Sequence, residues 1–357
     1  MTATAEDTLT PPKATRREWI GLAVIAVPCL LYSMDLNVLN LAIPHLTADL
    51  EPSSTQLLWI VDIYGFLLAG FLITMGTLGD RIGRRRLLMI GATAFGAASV
   101  VAAFADSAEM LIFARAILGV AAATLAPSTL SLIRNMFLDD RERTTAIGIW
   151  VGCFSAGGIV GPVLGGMLLE HFWWGSVFLL AVPMMVLLLI LAPLLLPEYR
   201  DPNAGALDVP SALLATSAVL TMIFGVKHIS VYGPAPIAIG SVLVSLVLGT
   251  IFVRRQRRLA DPMIDLRLFR RPIFTAALCV NIIAIFAAFG SFLFITQYLQ
   301  LVYGMGPLEA GLWLLPSGFI FLAGSVLAPV IVRRYEPRQV LTCGFLITAC
   351  GYGVLTQ

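Results

Sequence analysis

Three ionisable residues sit in apolar surroundings. Asp35 belongs to Met34-Asp35-Leu-Asn-Val-Leu-Asn40, Asp62 to Trp59-Ile-Val-Asp62-Ile-Tyr64, and Arg115 to Arg115-Ala-Ile-Leu-Gly119. A carboxylate in a medium of low dielectric attracts a cation when ionised and loses that attraction when protonated. It can therefore hold a proton or a cation, but not both. Trp59, Asp62 and Phe66 follow an i, i+3, i+7 spacing and share one helix face, and Tyr32 precedes Asp35 by three residues. A carboxylate flanked by aromatic rings suits an organic cation, through charge and through cation–π attraction. Asp35, Asp62 and Arg115 are the candidates for proton coupling and substrate binding, with Tyr32, Trp59 and Phe66 as aromatic contacts. Plainer accounts stay open: Trp59 as part of an interfacial aromatic belt, and Asp35 as half of a structural ion pair with Arg115. Burial favours a neutral carboxyl, whereas a neighbouring arginine favours the anion.

No other chemistry is encoded. The chain has no phosphate-binding glycine loop, zinc motif or nucleophile elbow, so it reads as neither an ATP-driven machine nor an enzyme. There is no catalytic cluster and no metal site. Cys29, Cys153, Cys279, Cys343 and Cys350 lie in apolar stretches without a C-x-x-C pattern or a nearby histidine, and they read as inert buried thiols.

The elements that position these residues follow from composition. Hydrophobic residues make up 59% of the chain and charged residues 12%, with a mean hydropathy of +0.91. Soluble domains carry about 25% charged residues. A bilayer core about 30 Å thick needs about 20 apolar residues per spanning helix. Eleven spans are predicted, near 19–43, 56–78, 87–105, 110–133, 145–169, 174–196, 209–226, 236–253, 273–297, 309–332 and 339–357. The fold class is an all-α integral membrane protein. Residues 1–17, with Pro11 and Pro12, read as a disordered tail, and the first span is too long for a cleaved signal. At about 1.5 Å per residue, Asp35 lies roughly 12 Å from the outer end of its span, and Asp62 and Arg115 roughly 9 Å. The three could meet across a cavity.

Basic residues concentrate in cytoplasmic loops. All but two of the 23 lysines and arginines fall on one side of this topology, in the loops around 79–86, 134–143, 200, 254–271 and 333–338 and in the N-terminal tail. The exceptions are Arg115, inside a span, and Lys227, placed at the opposite face. The N-terminus is accordingly cytoplasmic, and His45, His171 and His228 fall at outer loops or their edges. An odd span count leaves the C-terminus outside. The chain stops after Leu355-Thr356-Gln357 without a polar tail, which reads as a truncated protein.

The loop between spans two and three is Gly76-Thr-Leu-Gly79-Asp80-Arg81-Ile-Gly83-Arg84-Arg85-Arg86. A topological role explains its arginines, but not the order of glycines, aspartate and arginines. Glycines there permit a tight turn, and Asp80 can pair with the arginines. In span five, Gly157, Gly161 and Gly165 recur every four residues, with Pro162 and Gly166 beside them. Small residues on one face let a neighbouring helix approach closely, and Pro162 can kink the span.

The loop string resembles the loop signature of the major facilitator superfamily. Gly157-Gly158-Ile-Val-Gly161-Pro162-Val-Leu-Gly165-Gly166 is similar to the antiporter signature of its exporters, which the resemblance implies seals the path against leak. Arg115-Ala-Ile-Leu-Gly119 is similar to the family's Arg-x-x-x-Gly motif. Met34-Asp35 through Pro44, Trp59 through Tyr64, and Trp174-Gly175-Ser-Val-Phe178 resemble the fourteen-span drug:proton antiporters that export quaternary ammonium compounds and dyes. Two features depart from that branch. Three further C-terminal spans are missing, and span ten (Leu312-Trp313-Leu-Leu-Pro316-Ser-Gly318) carries no interior acid.

The resemblance implies a major facilitator helical bundle. Residues 18–196 would form an N-terminal six-helix bundle and 197–253 a linker with two extra helices. Residues 254–271 would be a basic cytoplasmic loop, and 272–357 an incomplete C-terminal bundle of three helices. The expected function is proton-coupled multidrug efflux of amphipathic organic cations by alternating access. Export of neutral or anionic metabolites or natural products is the alternative. No cofactor beyond the proton gradient is implied. The expected partners are cationic small molecules, protons and the lipid bilayer, not nucleic acid. The expected setting is a multi-pass monomer in the cell membrane.

Overall fold

The computed structural model describes residues 12–201, 208–259, 262–305 and 307–355. Most of the tail, residues 202–207 of the linker, residues 260–261 of the basic loop and the terminal pair 356–357 lie outside the described residues. Among the described residues every long element is a helix. The first five are α1 (Arg16–Leu50), α2 (Ser54–Ile82), α3 (Arg84–Ala103), α4 (Ala108–Met136) and α5 (Asp140–His171). The short α6 (Ser176–Leu179) and α7 (Ala181–Leu195) together make the sixth span. Then come α8 (Val209–Tyr232), α9 (Pro236–Gln256), a 3₁₀ turn at Leu268–Arg270, α10 (Pro272–Leu301), α11 (Pro307–Val332) and α12 (Pro337–Leu355). Eleven of these segments are long and apolar enough to cross a membrane, as expected.

The helix starts are written in the sequence as caps, because a side-chain oxygen there satisfies amides that the helix cannot. Thr15 with Glu18 and Ser53 with Gln56 form capping boxes. Asp139 accepts from the amides of Arg141 and Glu142 at 2.9 Å each. The Glu142 and Arg141 amides hold the Asp139 carboxyl below its ordinary range.

Two helices outrun their apolar cores. α1 begins at Arg16, ahead of the expected tail boundary, and continues to Leu50; α8 continues to Tyr232. Helical hydrogen bonding does not stop where hydropathy falls. His45 and His228, expected at loop edges, therefore lie within helices, while His171 closes α5. Lys227, placed by its sequence at the outer face, is also part of α8.

Helices α1 to α7 share one buried core, running from Ile25 and Leu46 of α1 through Leu88 and Leu118 to Met185 and Leu196 at its far end. α8 docks on α2, where Thr216 Oγ1 donates to the Gly70 carbonyl at 2.9 Å. α9 pairs with α8 through Ser245, which donates to the Ala218 carbonyl at 2.6 Å. α11 lies along α5, with Arg333 donating to the Arg141 carbonyl and Thr145 Oγ1 at 3.0 and 2.9 Å. α10 and α12 meet where Ser291 donates to Tyr352 Oη at 2.6 Å. Ile273, Phe286, Ile320 and Ile347 of α10 to α12 are exposed, which hydrocarbon tolerates and water would not. Of the cysteines, Cys29 alone is buried. Cys279, Cys343 and Cys350 are exposed on α10 and α12, because these helices turn their apolar faces outward, contrary to the expectation of buried thiols.

Candidate functional site

Asp35, Asp62, Arg115 and Lys227 cluster where α1, α2, α4 and α8 converge. Arg115, 1% exposed, is the bulkiest fully buried side chain. Its Nη1 donates to Asp35 Oδ2 at 2.6 Å, and its Nε donates to the Ile60 carbonyl at 3.1 Å. The guanidinium also stacks over the Tyr64 ring, 4.7 Å from its centroid. One arginine on α4 thus ties α1 to α2. The close approach of α4 depends on Gly119, where a Cβ would stand 2.5 Å from the Tyr64 carbonyl oxygen.

Asp62 does not join that pair. It forms an ion pair with Lys227 of α8. The Lys227 ammonium also lies over the Phe66 ring, 5.2 Å from the centroid. Trp59 and Phe66 meet edge-to-face at 6.2 Å, as their spacing predicts. Asp62, Phe66, Lys227, Arg115 and Leu39 line a cavity of about 280 Å³. Asp35 borders a different, much smaller cavity of about 20 Å³, with Phe95, Ser99 and Phe178. The Asp35–Arg115 bond therefore stands between two cavities.

Tyr32 is not brought to the Asp62 face. Its ring packs on Phe154 of α5 at 5.2 Å, and its hydroxyl lies 3.6 Å from Cys29 Sγ. It turns toward the α1–α5 seam instead. Of Asn37 and Asn40, the side chains lie outside the described residues.

The loop of glycines and arginines is a clamp. Arg84 pairs with Asp80 at 2.5 Å. Gly83 has φ +110°, a conformation open to glycine, and a Cβ there would lie 2.4 Å from Glu198 Oε1. Gly79 leaves room for the Arg84 side chain, and Gly76 faces Pro127 Cβ at an ordinary 3.8 Å. Arg85 donates its amide to Glu198 at 3.1 Å and its Nη1 to the Leu196 carbonyl at 3.0 Å. The Arg84 amide donates to Tyr199 O at 2.8 Å, and the Asp201 amide to Asp80 O at 2.9 Å. Arg81 is half-buried beside them. Glu198 and Tyr199 were not foreseen as partners: the linker carries no signal that it folds back on a loop more than a hundred residues earlier.

On α5 the expected seam has a defined partner, α1. A Cβ on Gly157 would stand 2.3 Å from the Leu30 carbonyl oxygen, one on Gly161 3.2 Å from Met34 Cα, and one on Gly165 2.6 Å from Val38 Cγ1. Gly166 faces open space. Pro162 sits within α5, its side chain outside the described ones.

The model of the Major Facilitator Superfamily matches residues 29–356. "Multidrug efflux pump LfrA" of Mycolicibacterium smegmatis is 45% identical over 99% of this chain and 70% of its own length. "Methyl viologen resistance protein SmvA" of Salmonella typhimurium is 37% identical over 94% of this chain and 68% of its own. Among solved structures, the proton:xylose symporter XylE has a TM-score of 0.59 at 16% identity, covering 89% of this chain and 70% of that one, a likeness of fold alone.

Proposed function

The chain belongs to the major facilitator superfamily, and from that premise we propose that it is a proton-coupled exporter of amphipathic organic cations, of the fourteen-span drug:proton antiporter branch. The observation that carries this reading is the carboxylate of Asp62, beside Phe66 and Trp59 at a cavity of about 280 Å³ between apolar helices. Charge and ring face together select amphipathic cations. Asp35 is the coupling carboxylate, because Arg115 answers any change in its charge. The proton gradient is the sole energy source, and the protein works as a monomer in the cell membrane with its arginine-rich end cytoplasmic. Likeness to the multidrug efflux pump LfrA and the methyl viologen resistance protein SmvA supports multidrug efflux and cationic substrates, and the α8–α9 pair supports the fourteen-span branch.

One observation favours a second reading, export of neutral or anionic metabolites. Arg115 and Lys227 both line the cavity, where they outnumber its one acid, Asp62. Proteoliposomes separate the two. Under an imposed pH gradient, uptake into inside-out vesicles of methyl viologen and ethidium, with proton release from the lumen, is expected. Transport of anionic dyes in place of both cations would overturn the first reading.

A further inference from the structure

Lys227 makes the two contacts that an organic cation would make in this cavity: an ion pair with Asp62 and a seat over the face of Phe66. We propose that Lys227 is a tethered occupant of the cation site, a built-in competitor that substrate must displace; this rests on the reading of Asp62 as the cation contact. Three observations converge on it. The ammonium is the only lysine nitrogen among the described residues within a membrane-spanning candidate. It meets ring and carboxylate at once, where a lysine held for packing needs neither. And it is not locked in: its side chain is 49% exposed, whereas Asp62 is 16% exposed.

The physics of exchange is simple. An unpaired carboxylate at this depth is costly, so without substrate the lysine neutralises Asp62. Lysine has a long flexible stem and can carry its ammonium to an interface. From Lys227 to the end of α8 at Tyr232 is five residues, or about 7.5 Å along the axis. A substrate cation that takes the Asp62–Phe66 seat releases the ammonium toward that end. A tethered competitor acts at an effective concentration in the mM range, so it excludes weak cations and admits those with enough apolar surface to add to their charge. It also sets valence preference. With Lys227 seated the Asp62 pair is neutral; with it gone, a single negative charge remains, which favours dications more than monocations.

The test is direct binding to the purified chain in nanodiscs, using ethidium as monocation and propidium as dication of the same ring system, read by fluorescence. Lys227→Met should lower the Kd of ethidium about tenfold by removing a tethered competitor, and that of propidium by more. Lys227→Arg should stay near wild type for both, because the competitor keeps its charge. Asp62→Asn should weaken both dyes in either background. Unchanged or weaker ethidium binding in Lys227→Met, with Asp62→Asn still impaired, overturns the tethered-occupant proposal alone. Undiminished binding in Asp62→Asn overturns the cation site itself. Matching thermal stability of Lys227→Met and Lys227→Arg confirms that the comparison is between folded proteins.

Discussion

At the scale of single residues, the two membrane aspartates differ in how firmly they are held. Asp35 accepts from an arginine that is fully buried and further fixed by the Ile60 carbonyl. Asp62 faces a lysine that is half exposed. Removing one partner of a buried pair costs about 3–5 kcal/mol, because the other charge is left uncompensated. Asp35→Asn should therefore abolish efflux driven by a pH gradient and also lower thermal stability. Asp35→Asn combined with Arg115→Met should recover most of the stability but not the transport. Dye binding should persist in part, since Asp62 is intact. Wild-type pumping by Asp35→Asn would make the pair purely structural.

At the scale of helices, packing is set by absent side chains and by caps. The α5 seam brings Gly157, Gly161 and Gly165 onto α1, while Gly166 points away. Gly157→Ala should cost about 1–3 kcal/mol, the usual penalty of overpacking, and impair transport. Gly166→Ala should be neutral, and unfolding in detergent with matched efflux assays checks both. Similar outcomes for the two would show that α1 is not the partner. Further along the chain, Asp208 caps α8 and pairs with Arg255 of α9 at 2.8 Å. Arg255 first, and then Ser211, hold its carboxyl below the ordinary value of 3.8. A lowered folded value means stability that is present above pH 3.8 and lost as pH falls below it. The difference in thermal stability between wild type and Asp208→Asn should thus be constant from pH 7 to about 5 and shrink toward pH 3. A difference growing on acidification would contradict the sign.

At the scale of the whole molecule, the arginine-rich segments gather at one end. The clamp of 79–86 on Glu198 and Tyr199 and the contact of Arg333 with Arg141 lie there together. The proposed orientation puts this end in the cytoplasm. Arg86 and Arg267, with side chains 72% and 90% exposed, suit cysteine labelling better than buried Arg84 or Gln256. Arg86→Cys and Arg267→Cys should resist an impermeant maleimide in sealed cells and react in inverted vesicles. Labelling of both from outside would invert the topology.

The number and order of spanning helices, their caps and the family follow from local signals: apolar run length, cap residues and motif strings, each readable within about 30 residues. Glycine periodicity likewise marked a close seam. What lay beyond the sequence was which distant partner each marked residue would meet. Depth along the spans brings Asp35, Asp62 and Arg115 to one level, but only packing pairs Arg115 with Asp35 and leaves Asp62 to Lys227. Lys227 was missed because hydropathy ended its span one residue earlier, although the helix ran on for another turn and more. Tyr32 shares a face with Asp35, yet α5 claimed its ring. Glu198 gave no hint that it would close on Gly83. Periodicity assigns a residue to a face of its own helix, but the neighbour on that face is chosen by the packing of all helices together. That choice placed a lysine, rather than open space, at the carboxylate of Asp62.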